Sequence, residues 1–423
     1  MQEIFLHYIW QYQKITALPL KTIQGEALQV LNPGYYHKED GPDFFNACLI
    51  IENQRWAGNV EIHLKSSDWY HHRHEINKKY DNVILHVVWE HDIAVFRPDG
   101  SEIPVLVLKT YVPDHFLADY YRLMKEKNWI LCEKDLLLVE PIFWMKWKER
   151  LFLERLEQKV KPIELLLKEN KNDWETTLFC CLAKSFGLNT NSEAFYQIGK
   201  SIPFTIVQKE RYIEGNLEAL FLGMATLLDD NKEDRYFCSL KRKWKELKKK
   251  YGLNRRSRVP LQFYKVRPDN FPTIRLVQLA GLYQKHSNLF DTVMRQHTLA
   301  AFYETFNIEM PEYWNTHYRF DTMSSGKRKV KKMSTAFRQL LFVNAILPLR
   351  FLYARYQGED FSEELLDMAR QIVPEQNSIT DRFKQLGVKI ESAFDSQAIL
   401  QLKKEYCNYK RCLHCDIGKK LLG

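Results

Sequence analysis

Long apolar runs are missing from this chain of 423 residues, and without a stretch of roughly 18 or more apolar residues an α-helical membrane span is excluded. The opening segment MQEIFLHYIWQYQK lacks the basic region, apolar core and small-residue cleavage site of a secretory signal, so a cytoplasmic location and no membrane partner are expected. Cysteine is scarce: eight residues are too few for a disulfide scaffold at this length, and in a reducing compartment clustered ones point to metal or redox roles. Ser325-Gly326-Lys327 is no phosphate loop, because the upstream glycine of that motif is absent. Fixed-period self-similarity is also lacking, which argues against a solenoid.

What is present is core material and an uneven charge. Apolar residues make up 45% of the chain and aromatics 13%, enough at this length for two or three domains. The net charge of +9 is concentrated in Lys241 to Arg258, which carries ten Lys or Arg against one Glu, and in Lys327 to Lys332 with five more; the remainder is net negative. Lys241, Arg242, Lys243, Arg255, Arg256, Lys327 and Arg328 are therefore the candidate contacts to a nucleic acid. The competing reading is a solvated helix face with Leu240, Trp244 and Leu247 on its inner side.

In chain order, residues 1 to 16 repeat apolar positions at helical spacing, and 18 to 30 read as a second short helix ending at the turn Asn32-Pro33-Gly34. Phe44 to Ile51 and Trp56 to Leu64 read as an antiparallel hairpin, followed by a short helix or loop through Trp69 to Tyr80. Asn82 to Trp89 is a continuous apolar, β-branched run typical of a strand buried on both faces. A further hairpin is expected across Arg97-Pro98-Asp99-Gly100. From Pro141 onward the period changes to 3.6. The expectation is an α+β chain, with a mixed α/β domain over residues 1–125 and a large all-α domain over 126–423.

Chemistry is concentrated between Gly25 and Trp69. Asp43 follows Pro42 at the mouth of one β-run, and Glu61, His63 and Lys65 share one face of the next if that strand is regular. Two carboxylates that hold divalent ions, with a group to orient water, are what metal-assisted phosphodiester hydrolysis requires. The order of elements, with Pro-Asp before one strand and Glu-x-His in the next, resembles the PD-(D/E)XK nuclease superfamily. That resemblance implies a restriction-endonuclease-like mixed sheet flanked by helices, with Asp43 and Glu61 as ligands of Mg²⁺ or Mn²⁺. Glu26 is expected to reach the same site from its helix. His63 stands at the family's lysine position, where it can orient water but is largely neutral at pH 7, and Lys65 is the substitute on the same face. The alternative is a non-catalytic module binding nucleic acid or protein on the same fold.

Nine of thirteen histidines lie at or before His115. His63, His71, His72, His74, His86 and His91 offer imidazoles for a zinc site, though their spacing fits no zinc motif. His86, inside the apolar strand, reads as a core histidine, and His71, His72 and His74 read also as the lining of a groove with Trp69 and Tyr70. Near the other end, Cys407, Cys412 and Cys415 have C-x4-C-x2-C spacing; with Cys132 or His414 they form a candidate site for zinc or an iron–sulfur cluster. Some nucleases resembling the PD-(D/E)XK group carry a cluster on one early and three late cysteines, with a late spacing unlike this one. Cys48, Cys180, Cys181 and Cys238 read as core thiols. Taken together, GPDFFNA, GNVEIHLKSSDWY, YDNVILHVVWEHD, RPDNFPTIR and YCNYKRCLHCDIGKKLL look like an uncharacterised bacterial domain-of-unknown-function family. That kinship spans nearly the whole chain and implies no activity.

Overall fold

The computed structural model describes residues 1–16, 18–37, 41–125, 128–254, 259–324, 328–359 and 362–422. The chain divides into two compact units: the first comprises residues 1–147, 382–388 and 402–423, and the second residues 148–381 and 389–401. This differs from the expected boundary near residue 125. The first unit extends into the first long helix and also takes the C-terminal cysteines.

The first unit is built on a seven-stranded mixed sheet. Its strands are β1 (Leu20–Lys21), β2 (Ala27–Asn32), β3 (Tyr35–Tyr36), β4 (Phe44–Ile51), β5 (Gln54–Lys65), β6 (Val83–Glu90) and β7 (Val105–Val107). The sheet order is β1-β2-β4-β5-β6-β7, with β3 paired to β4. β2, β4 and β5 run antiparallel to their neighbours, whereas β5, β6 and β7 are parallel. β6 is flanked by parallel neighbours and its first six residues are buried, which is why Val83 to Val88 alternate no polar face with an apolar one.

Two expected hairpins form. Ile51 pairs with Gln54 around the two-residue turn Glu52-Asn53, and the Gly100 N–H donates to the Arg97 carbonyl at 2.9 Å. The helix expected over 18–30 is overturned. Gly25, at φ +87°, closes a turn that returns the chain from β1 to β2 as an antiparallel pair. Helix α1 (Glu3–Tyr12) buries Phe5 through Trp10 without a break, packing on β5 and stacking Phe5 on Tyr120 of α3 (Asp114–Lys125). Between β5 and β6 lies α2 (Asp68–His71), followed by two short 3₁₀ turns.

Among the described residues the second unit is helical apart from a small hairpin, His317–Arg319 with Thr322–Met323, where an all-α domain was expected. The long helix α4 (Pro141–Glu169) includes the boundary; α5 (Trp174–Phe186), α6 (Leu188–Ser201), α7 (Phe204–Glu210), α8 (Asn216–Met224), α9 (Arg235–Tyr251) and α10 (Pro272–Lys285) follow. α9 buries Phe237, Leu240, Trp244 and Leu247 and turns Arg242, Lys245, Lys248 and Lys249 to solvent, so the inner face read from the sequence is present.

Candidate metal centre

A bulge aligns the two acidic residues. Ala47 pairs with Gly58, but Phe44 pairs with Val60, so β4 spends one extra residue at Phe45-Asn46, where Asn46 adopts φ +56°. In a regular ladder Asp43 would lie opposite Ile62 and face away from Glu61. The extra residue shifts it opposite Glu61, onto the same face. The Asp43 N–H donates to Glu61 Oε2 and the Ile62 N–H to Asp43 Oδ2, each at 3.0 Å. Asn46→Val should therefore cost about 1–2 kcal/mol, because a β-branched residue resists the left-handed conformation, and should weaken divalent-metal binding; Asn46→Gly should retain both in urea melts and metal titration.

Imidazoles close over this pair. Glu61 Oε1 lies 3.4 Å from His63 Nε2 and 3.2 Å from His74 Nε2, and His63 Nε2 lies 3.1 Å from His72 Nδ1. One donor atom from each of His63, His72 and His74 falls within 4.8 Å of the other two. Behind them His63 Nδ1 is 2.9 Å from His86 Nε2, which fixes the ring that faces the cluster. From α1, His7 Nε2 approaches Asp43 Oδ2 at 3.2 Å and Glu3 Oε1 at 3.8 Å. Glu61, His63, His74 and His86 are buried, while His72 is exposed at the mouth.

The electrostatics lack a cation. Burial first, and then Asp43, pushes the Glu61 carboxyl up to about 9; the same two causes raise Glu3 to about 7. Burial and neighbouring imidazoles push His74 down to about 4 and His86 down to about 3, and His63 is driven strongly downward. Among the described residues no Lys or Arg pairs with Glu3, Asp43 or Glu61, and neither nitrogen of His74 has a hydrogen-bond partner although Glu61 is close. The Glu61–His63 and Glu61–His74 approaches, at 3.4 and 3.2 Å without hydrogen-bond geometry, and the hydrogen-bonded His63–His72 pair at 3.1 Å match the separation of ligands around one ion, about 3.0–3.4 Å for bonds near 2.1 Å.

A family profile described as "Protein of unknown function (DUF2851)" matches residues 3–378, a span that includes every residue of this cluster. The chain belongs to the DUF2851 family. No match was found among curated proteins or solved structures.

In this DUF2851 chain the structure brings Asp43, Glu61 and His63 together, as the sequence suggested, and adds His72 and His74, which had been read as ligands or as groove lining. Glu26 does not join them. It lies in the turn just before β2, beside Thr22, whose hydroxyl donates to Glu26 Oε2 at 3.0 Å, and Asp43 lies at the opposite end of β4, roughly 25 Å away. The acid that arrives from an N-terminal helix is instead Glu3. Its signal was the i,i+4 pair Glu3–His7 in an otherwise apolar helix. Lys65 lies on the expected face but is exposed at the strand end. His86 is the core histidine read from the sequence, and it acts as a support for His63.

The basic candidates are placed apart from this cluster in the chain, in the second unit. Lys241 Nζ donates to Asn231 Oδ1 at 2.9 Å, Lys243 Nζ to Asn216 Oδ1 at 3.4 Å, and Arg328 pairs with Glu312. Arg255, Arg256 and Lys327 lie outside the described residues. No helix among the described residues is long and apolar enough to cross a membrane.

The donor set suits a divalent ion. Imidazole nitrogens with one or two carboxylates favour Mn²⁺, Fe²⁺ or Zn²⁺ over Mg²⁺, which prefers oxygen ligands. His63, His72 and His74 are the residues that could hold such an ion, with Glu61 beside His63 and His74 and Asp43 adjacent.

Proposed function

We propose that this DUF2851 chain is a divalent-metal-dependent hydrolase whose substrate is a phosphodiester, with nucleic acid as the first candidate. The observation that carries the reading is the His63–His72–His74 triad gathered at the buried Glu61 carboxyl, which touches His63 and His74 and, among the described residues, no protein cation. The phosphodiester part is supported by the Pro-Asp and Glu-x-His elements on adjacent strands and by the sheet order around them, three antiparallel strands followed by parallel ones. This is the arrangement implied by resemblance to the PD-(D/E)XK nucleases.

A bound ion supplies Lewis acidity toward a phosphoryl oxygen and a water acidified by coordination. The chain's own groups do the rest. His86 fixes the orientation of His63, and the Ile62 N–H holds Asp43 in place. His63 serves as a ligand here rather than as the water-orienting group expected at the lysine position. His7, between Asp43 and Glu3, links the buried carboxylates to Glu3, whose carboxyl exchanges a proton near neutral pH. His72, at the open side, leaves the centre accessible to a large substrate.

The test is incubation of the purified chain with Mn²⁺ and end-labelled single- and double-stranded DNA and RNA, beside His63→Ala. Cleavage that is removed by EDTA and lost in the variant is the expected result. Metal binding at the histidines with every nucleic acid left intact would overturn the nuclease reading and leave a binding module.

A further inference from the structure

A second cluster lies in the same unit, away from the histidines in sequence. Cys132 comes from the segment before α4, and Cys407, Cys412 and Cys415 come from the chain's last turns. All four line one cavity, otherwise walled by apolar groups including Ile130, Leu136, Phe383 and Ile417. None is in a disulfide. Cys132 and Cys415 are buried, and Cys407 and Cys412 are partly so. The backbone is shaped to admit them: a Cβ on Gly418 would sit 2.2 Å from the Cys412 carbonyl oxygen, so only glycine lets the final turn pass beneath that loop. Positive charges close to these thiols include Lys403, Lys410 and Arg411, and Arg411 lines the cavity.

A single buried thiol packs as a small apolar group, but four reduced thiols from two distant segments gathered on one cavity are also the full ligand set of a thiophilic centre. The spacing discriminates between kinds of centre. A single tetrahedral zinc with bonds near 2.3 Å draws its sulfurs to about 3.8 Å from one another. Among the described residues, no three of these cysteines bring their sulfurs within 4.8 Å. Four cysteines that line one cavity without three of their sulfurs converging suit a polynuclear iron–sulfide core, whose ligand sulfurs stand about 6 Å apart, better than a single ion.

We propose that Cys132, Cys407, Cys412 and Cys415 hold a four-cysteine iron–sulfur cluster that ties the C-terminal segment to the 128–136 segment and so closes the first unit. With all four corners held by protein, no iron is left open to bind a substrate. It takes no part in the histidine site and stands or falls independently of the hydrolase reading.

The full chain, expressed with iron supplied and purified without oxygen, should be brown and contain about four iron and four acid-labile sulfide per chain. Cys412→Ser and Cys415→Ser should each lose most of both, whereas Cys48→Ser and Cys238→Ser should keep them, and His63→Ala should keep the colour while losing any ion at the histidines. Should the serine variants fail to fold, the wild-type iron and sulfide content alone decides. A colourless chain without sulfide, one zinc per chain lost in Cys415→Ser, or iron and sulfide retained in both serine variants would each overturn the proposal.

Discussion

Glu61→Gln should abolish divalent-metal binding at the histidines and at the same time remove a pH dependence from the metal-free protein. The amide is nearly isosteric with the protonated acid, so the variant keeps the hydrogen bond from the Asp43 N–H and should fold. It cannot supply the negative charge that three neutral imidazoles leave to Glu61. Loss of a ligand should weaken Mn²⁺ binding by at least about 100-fold, the upper range found for groups that merely support ligands. The sign of the pH effect follows from the raised carboxyl. Between its ordinary value of 4.5 and about 9, the folded state holds a proton that the unfolded state has released. The stability this contributes is complete below 4.5 and is lost as pH rises toward 9. Metal-free wild type should therefore melt lower at pH 9 than at pH 6, by a larger margin than Glu61→Gln. Mn²⁺ should restore the wild type alone, since a cation accepts the charge that pH exposes. Thermal melts of both proteins at the two pH values, with and without Mn²⁺, check this; equal pH slopes in the two proteins would mean that Glu61 is ionised without help.

Gly223→Ala should give the largest loss of stability in the second unit. α8 and α9 meet where the Trp244 indole lies on the backbone of Gly223, and an added Cβ would sit 2.1 Å from Trp244 Cδ2 and 2.5 Å from Cγ. Trp244 is buried between Leu240 and Leu247 and has nowhere to turn, so either the ring leaves its rotamer or the helices separate. Overpacking of this kind costs about 3 kcal/mol, read as a drop in the urea midpoint at unchanged slope. Gly223→Ala with Trp244→Leu should recover part of the loss, because the second change removes the atoms that clash. Replacing Lys245, Lys248 and Lys249 by glutamine should leave stability within about 0.5 kcal/mol, as these side chains are exposed. The pair of results separates the two readings of this basic helix: its inner face holds the fold, and any polyanion contact belongs to residues that can be removed without unfolding it.

How much of this was legible follows from which signals are local. β6 was readable because a strand buried on both faces has no polar alternation, and the β4–β5 hairpin because period-2 runs flank a short polar turn. Residues 18–30 were misread because β1 is two residues long and cannot show a period, so Gly25 passed for a residue within a helix. Asp43 and Glu61 were found through their strand-mouth spacing, yet their alignment depends on a bulge whose only trace is an asparagine tolerant of positive φ. The approach of His74 was hidden. Arg73 takes φ +60°, a conformation arginine does not advertise, and this reverses the chain after α2 to bring His74 under His63. The early and late cysteines were paired only by counting ligands, since no local pattern spans the 274 residues that separate Cys132 from Cys407.

That separation also sets an order of events during synthesis. The first unit draws its last pieces from residues 382–388 and 402–423, so when residue 147 leaves the ribosome its sheet is made but its closing segment does not yet exist. At roughly 5–20 residues per second the wait lasts on the order of a quarter to a full minute, during which residues 148–381 of the second unit emerge and can begin to fold, their last piece, 389–401, arriving between the two late segments of the first unit. The nascent sheet must stay open for that interval, and Cys132 waits with it for Cys407, Cys412 and Cys415.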